Sequence, residues 1–541
     1  MDTVTNRAIR RPSLEGQHFQ VAVIGGGING VGIARECALA GHKTLLVEQH
    51  DFASGTTSRS TRIVHGGLRY LEHGEIGLVR ESLRERKTLL RERPNLVRPL
   101  QFLLALDENS RRSALKARLG LWLYGRFGGS TLPKGDGKSA AARFEKRLDS
   151  GRRWSVLNFE DAQCEFPERL VTEWLVEAAQ AGAEVRNYTE VLKIEVAHGR
   201  AKGLRIADKL TRKEENIGAS WVINATGPWA DAVCQRSTIR THGPMIGGVR
   251  GSHLVLPRFA GAPECAIFTE AVDGRPIFVV PWFEQILVGT TEVPDTSDPS
   301  AIQPSPEEIS YLLQSLRKLF PSASFSEKDA RYTFAGIRPL PFVDRKTPAS
   351  ITRRHFLHDH SDEGVQRMVS VVGGKLTTAG SLARDCIRKI GLKRTAPSAP
   401  VPVLDDLGVG VDDLVMEVAG QLGISENSAE SIAEWHGKRT LAITQLARRD
   451  AAMRSPLCPH TGHIVAEAVE ALSNEFAVTL ADVLLRRVPV ALDGCWSEEC
   501  SVVAANRIAS AMRWTDAESR SELESFERER TQFLRKPLPV L

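Results

Sequence analysis

The hydrophobic pattern of this chain changes from mixed strands and helices to helices alone. An apolar run at 21–24 leads into a helical pattern at 31–40, and a second apolar run follows at 44–47. Three further segments show helical spacing: 81–93, 168–181 and 306–319. Between 242 and 295, alternating β-branched residues separated by glycine and proline predict an antiparallel sheet. This order of elements predicts an α/β fold for the first part of the chain.

The pattern beyond the proline-rich, polar segment 393–405 is helical. Ile464, Ala468 and Leu472, for example, recur at the spacing of one helix face. We therefore expect an α-helical C-terminal domain over residues 400–541, with the polar segment as its linker.

Length and composition limit the classes of protein to consider. The chain has 541 residues, which is too long for one hydrophobic core and predicts two or three domains. Its net charge of +5 suits an anionic substrate or membrane surface but is too small to indicate nucleic-acid binding. Residues 1–17 lack the apolar core of a signal peptide and are expected to form a disordered tail. No apolar run approaches the ~18 residues that span a bilayer, so we expect no transmembrane segment.

The eight cysteines are scattered singly, at positions 37, 164, 234, 265, 386, 458, 495 and 500. No two of them form a C-x-x-C pair. This spacing argues for reduced thiols in a cytoplasmic setting, and against both zinc and a disulfide framework. We therefore expect no metal.

The segment 21–30, VAVIGGGING, joins the first predicted strand to the first predicted helix and has the form G-x-G-x-x-G. Gly25 permits the tight turn, Gly27 lets the backbone approach a pyrophosphate, and Gly30 lets helix and strand pack closely. The N-terminus of the helix then presents free N–H groups to the anion. Glu48, roughly 20 residues on, can accept hydrogen bonds from a ribose diol. These features together predict a dinucleotide-binding domain.

A second nucleotide signal is the turn Ala225-Thr226-Gly227, which follows a buried strand. Together with the first signal it favours FAD over NAD, because in FAD-binding proteins of this kind a later segment of the chain completes the nucleotide-binding domain. Between the two signals lies the segment 57–71 (TSRSTRIVHGGLRYL). Its hydroxyl groups and its glycine pair could approach the edge of a flavin. Its Arg69 could bind a phosphate or a carboxylate.

Three more basic residues lie in apolar or glycine-rich surroundings. They are Arg338 in GIRPL, Arg353 in ITR and Lys375 in GGKLTT. Because charges rarely follow buried strands without a partner, we expect these side chains to converge on an anion. The GGK segment is not a P-loop, since Leu376 follows the lysine where a P-loop has serine or threonine.

Eight motifs occur along the chain in this order: GGGING, HGGLRYLE, NATGPW, GSHLVLP, DGRPIFVVPW, VGTTE, GIRPL and GGKLTT. Together they resemble the FAD-dependent, respiratory glycerol-3-phosphate dehydrogenases, which pass electrons to quinone. The resemblance extends over about residues 20–487. The chain departs from the family's pattern at 165–170 (EFPERL) and at 403–407 (VLDDL), which leaves the domain junction and any interface open.

The resemblance also implies the site residues. The ADP half of FAD would be held by Gly25, Gly27, Gly30 and Glu48. The flavin would be lined by Ser58, Arg62, His65, Gly66, Leu68, Gly227, Lys375, Leu376 and Thr377. The substrate would be bound by Arg69, Arg338, Arg353 and Lys375, with His253 nearby.

The implied reaction is oxidation of sn-glycerol 3-phosphate to dihydroxyacetone phosphate, by hydride transfer from C2 to flavin N5 while a base removes the C2 hydroxyl proton. We favour His253 as the base, because its ordinary pKa near 6.5 suits proton abstraction near neutrality. A structural strand histidine is the alternative, and Arg338 could instead orient the hydroxyl. Lys375 would stabilise the reduced flavin.

Two other functions stay open. The first is a flavin-dependent amino-acid or 2-hydroxy-acid oxidase or dehydrogenase of the same fold, because arginines clamp a carboxylate as readily as a phosphate. The second is a non-catalytic flavoprotein in which FAD is structural. The basic residues argue against it.

The segment 111–124 (RRSALKARLGLWLY) mixes cationic residues with Leu, Trp and Tyr, as does a helix in a lipid headgroup layer. A helix packed on the protein's own core would show the same pattern. Given the family's peripheral membrane habit and quinone acceptor, we expect docking on the cytoplasmic side of the inner membrane, or a cytoplasmic enzyme. A homodimer is the base-rate expectation.

The predicted domain division follows from these signals. The FAD-binding, Rossmann-like domain is discontinuous, with segments 18–108, 158–241 and 331–392. A basic insertion at 109–157 interrupts it, and the antiparallel-sheet substrate domain covers 242–330.

Overall fold

The computed structural model describes residues 11–128, 141–142, 144–321, 323, 325–344, 350–393 and 411–536. The strands, in chain order, are β1 (His18–Ile24), β2 (Thr44–Val47), β3 (Ile63–Val64), β4 (Arg98–Asp107), β5 (Trp154–Gln163), β6 (Glu184–Arg186), β7 (Thr189–Ala197), β8 (Arg200–Asp208), β9 (Lys213–Asn224), β10 (Ile246–Pro257), β11 (Ala266–Glu270), β12 (Pro276–Trp282), β13 (Gln285–Gly289), β14 (Val293–Pro294), β15 (Tyr332–Pro341), β16 (Phe356–Asp359) and β17 (Met368–Val372). They form two sheets, sheet A and sheet B.

The α-helices, in chain order, are α1 (Ile28–Leu39), α2 (Leu68–Glu72), α3 (Ile76–Glu92), α4 (Ala114–Gly128), α5 (Pro167–Gln180), α6 (Ala230–Arg236), α7 (Pro306–Leu319), α8 (Ala379–Lys389), α9 (Val411–Leu422), α10 (Glu426–His436), α11 (Thr440–Arg449), α12 (Val465–Asn474), α13 (Leu480–Arg486), α14 (Glu498–Met512) and α15 (Asp516–Phe533). The predicted helices at 168–181 and 306–319 correspond to α5 and α7. The helix predicted at 81–93 begins five residues earlier, at Ile76, as α3. None of the helices in the described part of the chain combines the length and apolarity needed to cross a bilayer.

Sheet A is the nucleotide-binding sheet, with strand order β16-β17-β9-β1-β2-β6. Strand β1 pairs in parallel with β2 on one side and β9 on the other, and β17 continues the parallel set beyond β9. Helix α1 packs between α5 and α8. Gly32 of α1 allows this, since a β-carbon there would lie 3.2 Å from the Trp174 ring of α5. The buried strand β1 thus ends beside the tightly packed start of α1.

Sheet B has the strand order β14-β10-β13-β12-β11-β4-β5-β3, with β15 on the other edge of β10. Its pairs are antiparallel except β4 with β11, so the sheet is mixed rather than purely antiparallel. Strands β4, β5 and β15 belong to it, although the predicted division placed all of their residues in the FAD-binding domain or the insertion. Local patterning identifies strands, but it does not show which distant strands pair.

Residues 411–536 are helical, as expected, and buried ion pairs join this domain to the nucleotide-binding part. The Asp51 carboxylate accepts from Arg486 Nε at 2.6 Å and from Arg487 Nη2 at 2.8 Å. Burial alone would raise the pKa of Asp51, but Arg487 and Arg486 outweigh burial and lower it. A second buried pair joins Arg169 of α5 to Glu475, at 2.7 Å. Asp51 therefore remains ionised and holds the loop after β2 against the helical domain.

The expected disordered tail is partly wrong. Residues 1–10 lie outside the described part, but Leu14 is 2% exposed, and its amide donates to Glu215 Oε1 at 3.1 Å. Arg11 Nη1 donates to the Asn187 carbonyl at 2.8 Å. These contacts of Arg11 and Leu14 therefore hold residues 11–17 against β9 and the β6–β7 connection.

Candidate active site

A cavity of about 1100 Å³ extends from the carboxyl end of sheet A across the face of sheet B. In parallel α/β sheets, ligands bind outside the carboxyl ends of the strands, where the strand order reverses. The volume lies slightly above the roughly 300–1,000 Å³ typical of small-molecule sites, which suits an elongated ligand. One end is lined by the nucleotide loop after β1, and the other end by basic residues that include Arg338 of β15 and Arg353 of the loop before β16.

The nucleotide loop depends on two of its glycines for its shape. Gly25 has φ of +105°, and a β-carbon there would lie 2.7 Å from the Ala225 carbonyl oxygen. A β-carbon on Gly30 would lie only 1.9 Å from the Gly25 carbonyl oxygen. Gly27 is the N-cap of α1 and lines the cavity, as does Gly227. The loop therefore gives an open backbone cradle at the start of a twelve-residue helix, which fits a pyrophosphate.

Glu48 closes the same end of the cavity. Its carboxylate accepts from the amide of Gly26 at 2.7 Å and from the amide of His50 at 2.9 Å. A carboxylate has about four acceptor positions, so two backbone bonds leave capacity for a ribose diol.

Three cationic side chains lie at or beside the other end. Arg353 lines the cavity, and its Nη2 donates to Glu292 Oε1 at 2.8 Å. Arg69 Nη1 reaches the same oxygen at 3.0 Å, so Glu292 links the two guanidinium groups. Arg338 Nη2 donates to Thr290 Oγ1 at 2.6 Å. Arg353 Nη1 is buried and has no hydrogen-bond partner among the described residues, which leaves a donor for an anion.

The electrostatics of this end fit an anionic ligand. Burial, together with the nearby charge of Arg353, lowers the pKa of Arg338 to about 10. Burial alone would raise the pKa of Glu292, but Arg69 and Arg353 outweigh burial and lower it. The site therefore holds three guanidinium groups around one carboxylate, an excess of positive charge that an incoming dianion would neutralise.

His253 and Arg338 occupy spaces that glycines leave open. Strand β10 carries His253 opposite Gly289, where a β-carbon would lie 2.5 Å from the imidazole Cδ2. A β-carbon on Gly251 would lie 2.5 Å from Arg338 Nη2. The imidazole stacks on Phe334, with ring centroids 4.7 Å apart. This packing explains glycines in the GSHLVLP and VGTTE motifs.

His253 is neutral in this environment. Burial is the main cause that lowers its pKa well below 6.5, and Arg338 and Arg62 add to it. Its Nε2 lies 2.9 Å from Thr61 Oγ1, while its buried Nδ1 has no partner within the described part of the chain. The uncharged imidazole has one unused ring nitrogen that can accept a proton, but its lowered pKa makes it a weaker base than the ordinary value near 6.5 assumed from the sequence.

Lys375 also lines the cavity. Its Nζ donates to Ser82 Oγ at 2.8 Å and lies 4.4 Å from the centre of the Tyr70 ring. Burial lowers the pKa of Lys375 to about 7. Burial, followed by the charges of Lys375 and Arg86, lowers the pKa of His65 to about 3, so His65 is neutral.

Most of the predicted site residues meet at this cavity, and some do not. Those that line it are Gly25, Gly27, Glu48, His65, Gly227, His253, Arg338, Arg353, Lys375, Leu376 and Thr377. Six others lie behind the wall: Gly30, Ser58, Arg62, Gly66, Leu68 and Arg69. Gly30 acts by letting α1 approach the loop, and Arg69 is linked to the cavity through Glu292.

The predicted flavin contacts of Ser58, Arg62, Gly66 and Leu68 stay predictions, although none of the four lines the cavity and each has contacts elsewhere. Arg62 is fully buried, with Nη1 2.5 Å from Glu168 and its guanidinium over the Trp282 ring. The Ser58 hydroxyl donates to the Gly55 carbonyl, and the Gly66 amide donates to Asp161. Leu68 packs on the hydrophobic core. Residues 56–59 form a short 3₁₀ helix, which turns the neighbouring Thr57 and Arg59 toward the cavity instead.

Sequence reasoning also missed the contribution of the helical domain. Helix α15 lines the cavity with Arg528, Glu529 and Phe533, and the Arg59 guanidinium lies 3.4 Å above the Phe533 ring. The segment after α15 pairs with β15, where the Thr333 amide donates to the Arg535 carbonyl at 2.7 Å. No motif signals this contact, because it joins residues that are far apart in the sequence.

Comparison with known proteins agrees with this geometry. The family model described as "FAD dependent oxidoreductase" matches residues 20–379, and the one described as "C-terminal domain of alpha-glycerophosphate oxidase" matches residues 407–519. A "Glycerol-3-phosphate dehydrogenase" of Synechocystis is 37% identical over 89% of this chain and 90% of its own length. The chain belongs to the FAD-dependent glycerol-3-phosphate dehydrogenase family.

Other members of this glycerol-3-phosphate dehydrogenase family are more distant in sequence. An "Aerobic glycerol-3-phosphate dehydrogenase" of Bacillus subtilis is 30% identical over 87% of this chain and 86% of its own length. The solved Bacillus halodurans glycerol-3-phosphate dehydrogenase, described as complexed with FAD, covers both chains fully with a TM-score of 0.77. At 23% identity, that likeness supports the shared fold.

The residues present fit the family's cofactor, FAD. The glycine cradle and Glu48 would hold its ADP half, and the neutral His65 with Leu376 and Thr377 would contact its flavin. A β-carbon on either Gly25 or Gly30 would fill that cradle, which is the structural reason for the fingerprint.

Proposed function

We propose that this enzyme oxidises sn-glycerol 3-phosphate to dihydroxyacetone phosphate. The observation that supports this most directly is the cationic end of the cavity, where Arg338, Arg353 and Lys375 converge and Arg69 joins through Glu292. A phosphate group offers up to two negative charges, and each charge-assisted hydrogen bond contributes about 1.5–3 kcal/mol. Free glycerol offers none of these, so the site should discriminate strongly for the phosphorylated substrate.

The side chains of this site divide the work between binding and proton transfer. FAD, when bound, supplies the hydride acceptor for C2. Arg353 binds the phosphate and thereby orients the substrate, with its free Nη1 as a first donor, and Arg69 positions Arg353 through Glu292. Arg338 orients the C2 hydroxyl, and His253, kept neutral by burial, accepts its proton. Lys375 places a cationic donor beside the flavin region of the cavity.

An absorbance experiment tests cofactor and substrate together. The purified enzyme should show flavin bands that bleach under anaerobic conditions on addition of sn-glycerol 3-phosphate, and not on addition of glycerol. D-amino acids and 2-hydroxy acids are the comparison substrates, because a carboxylate also fits paired arginines. Bleaching by one of those, without bleaching by sn-glycerol 3-phosphate, would refute the proposal.

Helix α4 supports a further part of the proposal, that the enzyme docks on a membrane and reduces quinone there. Leu115, Leu119 and Trp122 are 76%, 65% and 67% exposed, and they follow one another along one face of the helix. Lys116 and Arg118 are exposed beside them. An apolar ridge flanked by cations suits the headgroup layer of an anionic bilayer. The homodimer and the side of the membrane stay predictions.

Sedimentation with liposomes tests the ridge. A Leu119→Ser, Trp122→Ser double variant should lose most of its binding to anionic vesicles, while reduction of the flavin by substrate stays normal. Met416→Ser is the matched control, since Met416 is 61% exposed on another helix. Leu123, which the sequence pattern also suggested, is half-buried and is left unchanged. Equal sedimentation of the double variant and the wild type would reject this anchor.

A further inference from the structure

Three cysteines and a histidine of the helical domain lie close together, and none of them lines the cavity. The Cys458 and Cys500 sulfurs lie 3.1 Å apart, and the His460 Nδ1 lies 3.5 Å from Cys458 Sγ and 3.7 Å from Cys500 Sγ. The ligand atoms of Cys458, His460 and Cys495 all lie within 4.8 Å of one another. Three ligand atoms thus lie within reach of one ion, and the Cys500 sulfur adjoins two of them, Cys458 Sγ and His460 Nδ1.

We propose that Cys458, His460, Cys495 and Cys500 form a structural zinc site. Tetrahedral zinc with bonds of about 2.3 Å to sulfur and 2.0–2.1 Å to nitrogen places its sulfurs ~3.8 Å apart, and sulfur and nitrogen ~3.6 Å apart. The two sulfur–nitrogen distances here agree with those values, and the sulfur pair needs to open by a fraction of an ångström. Zinc binding would release the thiol protons to solvent.

The backbone brings these ligands from two short segments. Cys458 and His460 lie in a turn whose ends are tied by the Leu457 amide, which donates to the His463 carbonyl at 2.7 Å. Cys500 is the third residue of helix α14, and its amide donates to the N-cap Ser497 hydroxyl at 3.3 Å. The start of a helix favours the thiolate form that a metal requires.

The accessibility of the four residues suits a zinc site that stabilises structure. Cys458 and Cys500 are buried, Cys495 is half-buried and His460 is exposed. Zinc could enter from the solvent side, where His460 is exposed, and would be covered by the buried cysteines on the other side. Three thiolates and one imidazole complete a tetrahedral set, and such closed sites contribute directly to folding stability.

The proposed site would fix a segment that packs on sheet B. Just before Cys495, the Leu492 carbonyl accepts from Gln285 Nε2 at 2.8 Å and from the Tyr332 hydroxyl at 2.9 Å. The Gly494 carbonyl accepts from Arg331 Nη1 at 2.7 Å. Zinc at Cys495 would therefore hold the helical domain against the sheet that carries His253 and Arg338.

The sequence pattern alone argued against a metal, because no C-x-x-C pair is present. The spacings are instead C-x-H in one segment and C-x₄-C in the other. A disulfide between Cys458 and Cys500 is the competing outcome, and it would leave His460 and Cys495 without a role.

Metal analysis of the full-length FAD-loaded enzyme tests the proposal. The wild type should contain about one zinc ion per chain, and Cys495→Ser or Cys500→Ser should contain at least about tenfold less. Cys265→Ser is the matched control, because Cys265 is half-buried and lies outside the cluster. This variant should contain as much zinc as the wild type. The ratio of flavin to protein absorbance shows whether each variant is folded.

A second readout uses the wild-type enzyme, with Cys495→Ser as the comparison. Removing zinc with a strong chelator should lower the melting temperature of the wild type and leave that of Cys495→Ser unchanged. Cobalt substitution should give the visible absorption bands of a tetrahedral cobalt thiolate. Zinc-free enzyme with four unmodified side chains, equal zinc in wild type and variants, or a Cys458–Cys500 disulfide in freshly purified protein would each overturn the proposal.

Discussion

Replacing Arg353 by methionine should reduce catalytic efficiency on sn-glycerol 3-phosphate far more than it affects the fold. Arg353 Nη2 binds Glu292, and the buried Nη1 has no partner within the described chain, so one to two charge-assisted bonds to phosphate depend on this side chain. Each such bond contributes about 1.5–3 kcal/mol. Because every 1.4 kcal/mol corresponds to about a factor of ten, the loss of one bond should lower kcat/KM by roughly 10- to 150-fold.

The measurement is steady-state oxidation with an artificial electron acceptor, on Arg353→Met and on Arg354→Met. Arg354 is the neighbouring arginine and is exposed, so its variant should keep wild-type kinetics. The loss in Arg353→Met should appear mainly in KM, since the interaction is made in both ground and transition states. An unchanged kcat/KM in Arg353→Met, or an equal loss in Arg354→Met, would show that Arg353 does not bind the phosphate.

Three other predictions follow from the geometry. Gly30→Ala should abolish FAD binding, because its β-carbon would lie 1.9 Å from the Gly25 carbonyl oxygen, whereas Gly120→Ala has no atom within 4 Å and should keep full flavin absorbance. Asp51→Asn should destabilise the fold by about 3–5 kcal/mol in urea unfolding at neutral pH. The charges of Arg487 and Arg486 lower the pKa of Asp51 in the folded state. The stabilisation by the Asp51 carboxylate is therefore present above its unfolded-state pKa near 3.9 and is lost as the pH falls through its folded-state pKa. The unfolding free energies of the wild type and Asp51→Asn should therefore converge in acid. Lys375 has a pKa of about 7 and should lose its charge as the pH rises from about 6 to 8. Affinity for the phosphate group should therefore fall over that range in the wild type and not in Lys375→Arg, because arginine keeps its charge. Identical dependence of affinity on pH in the two proteins would contradict this.

Local chemistry in the sequence predicted the nucleotide-binding end of the cavity. The glycine fingerprint and Glu48 could be placed because each residue acts within one strand–turn–helix unit. The convergence of Arg338, Arg353 and Lys375 could be predicted because a charge after a buried strand needs a partner.

Other parts of the site could not be predicted, because they depend on distant pairings. Arg62 and Arg59 are three residues apart, and only the 3₁₀ turn at 56–59 decides which of them lines the cavity. The membership of β4 in sheet B depends on its parallel pairing with β11, more than 150 residues later. The cover formed by α15 has no local signal, because helical patterning shows that a helix forms and not what it packs against.

The contact between Arg59 and Phe533 has a consequence for the order of assembly. The ribosome delivers the cradle for the dinucleotide early, and it delivers α15, which lines the same cavity, only after nearly all of the described chain has been made. Full retention of the cofactor must therefore wait for translation to pass α15. Fusing a bulky partner directly after this helix should slow flavin uptake in the cell, while the same partner at the other terminus should not.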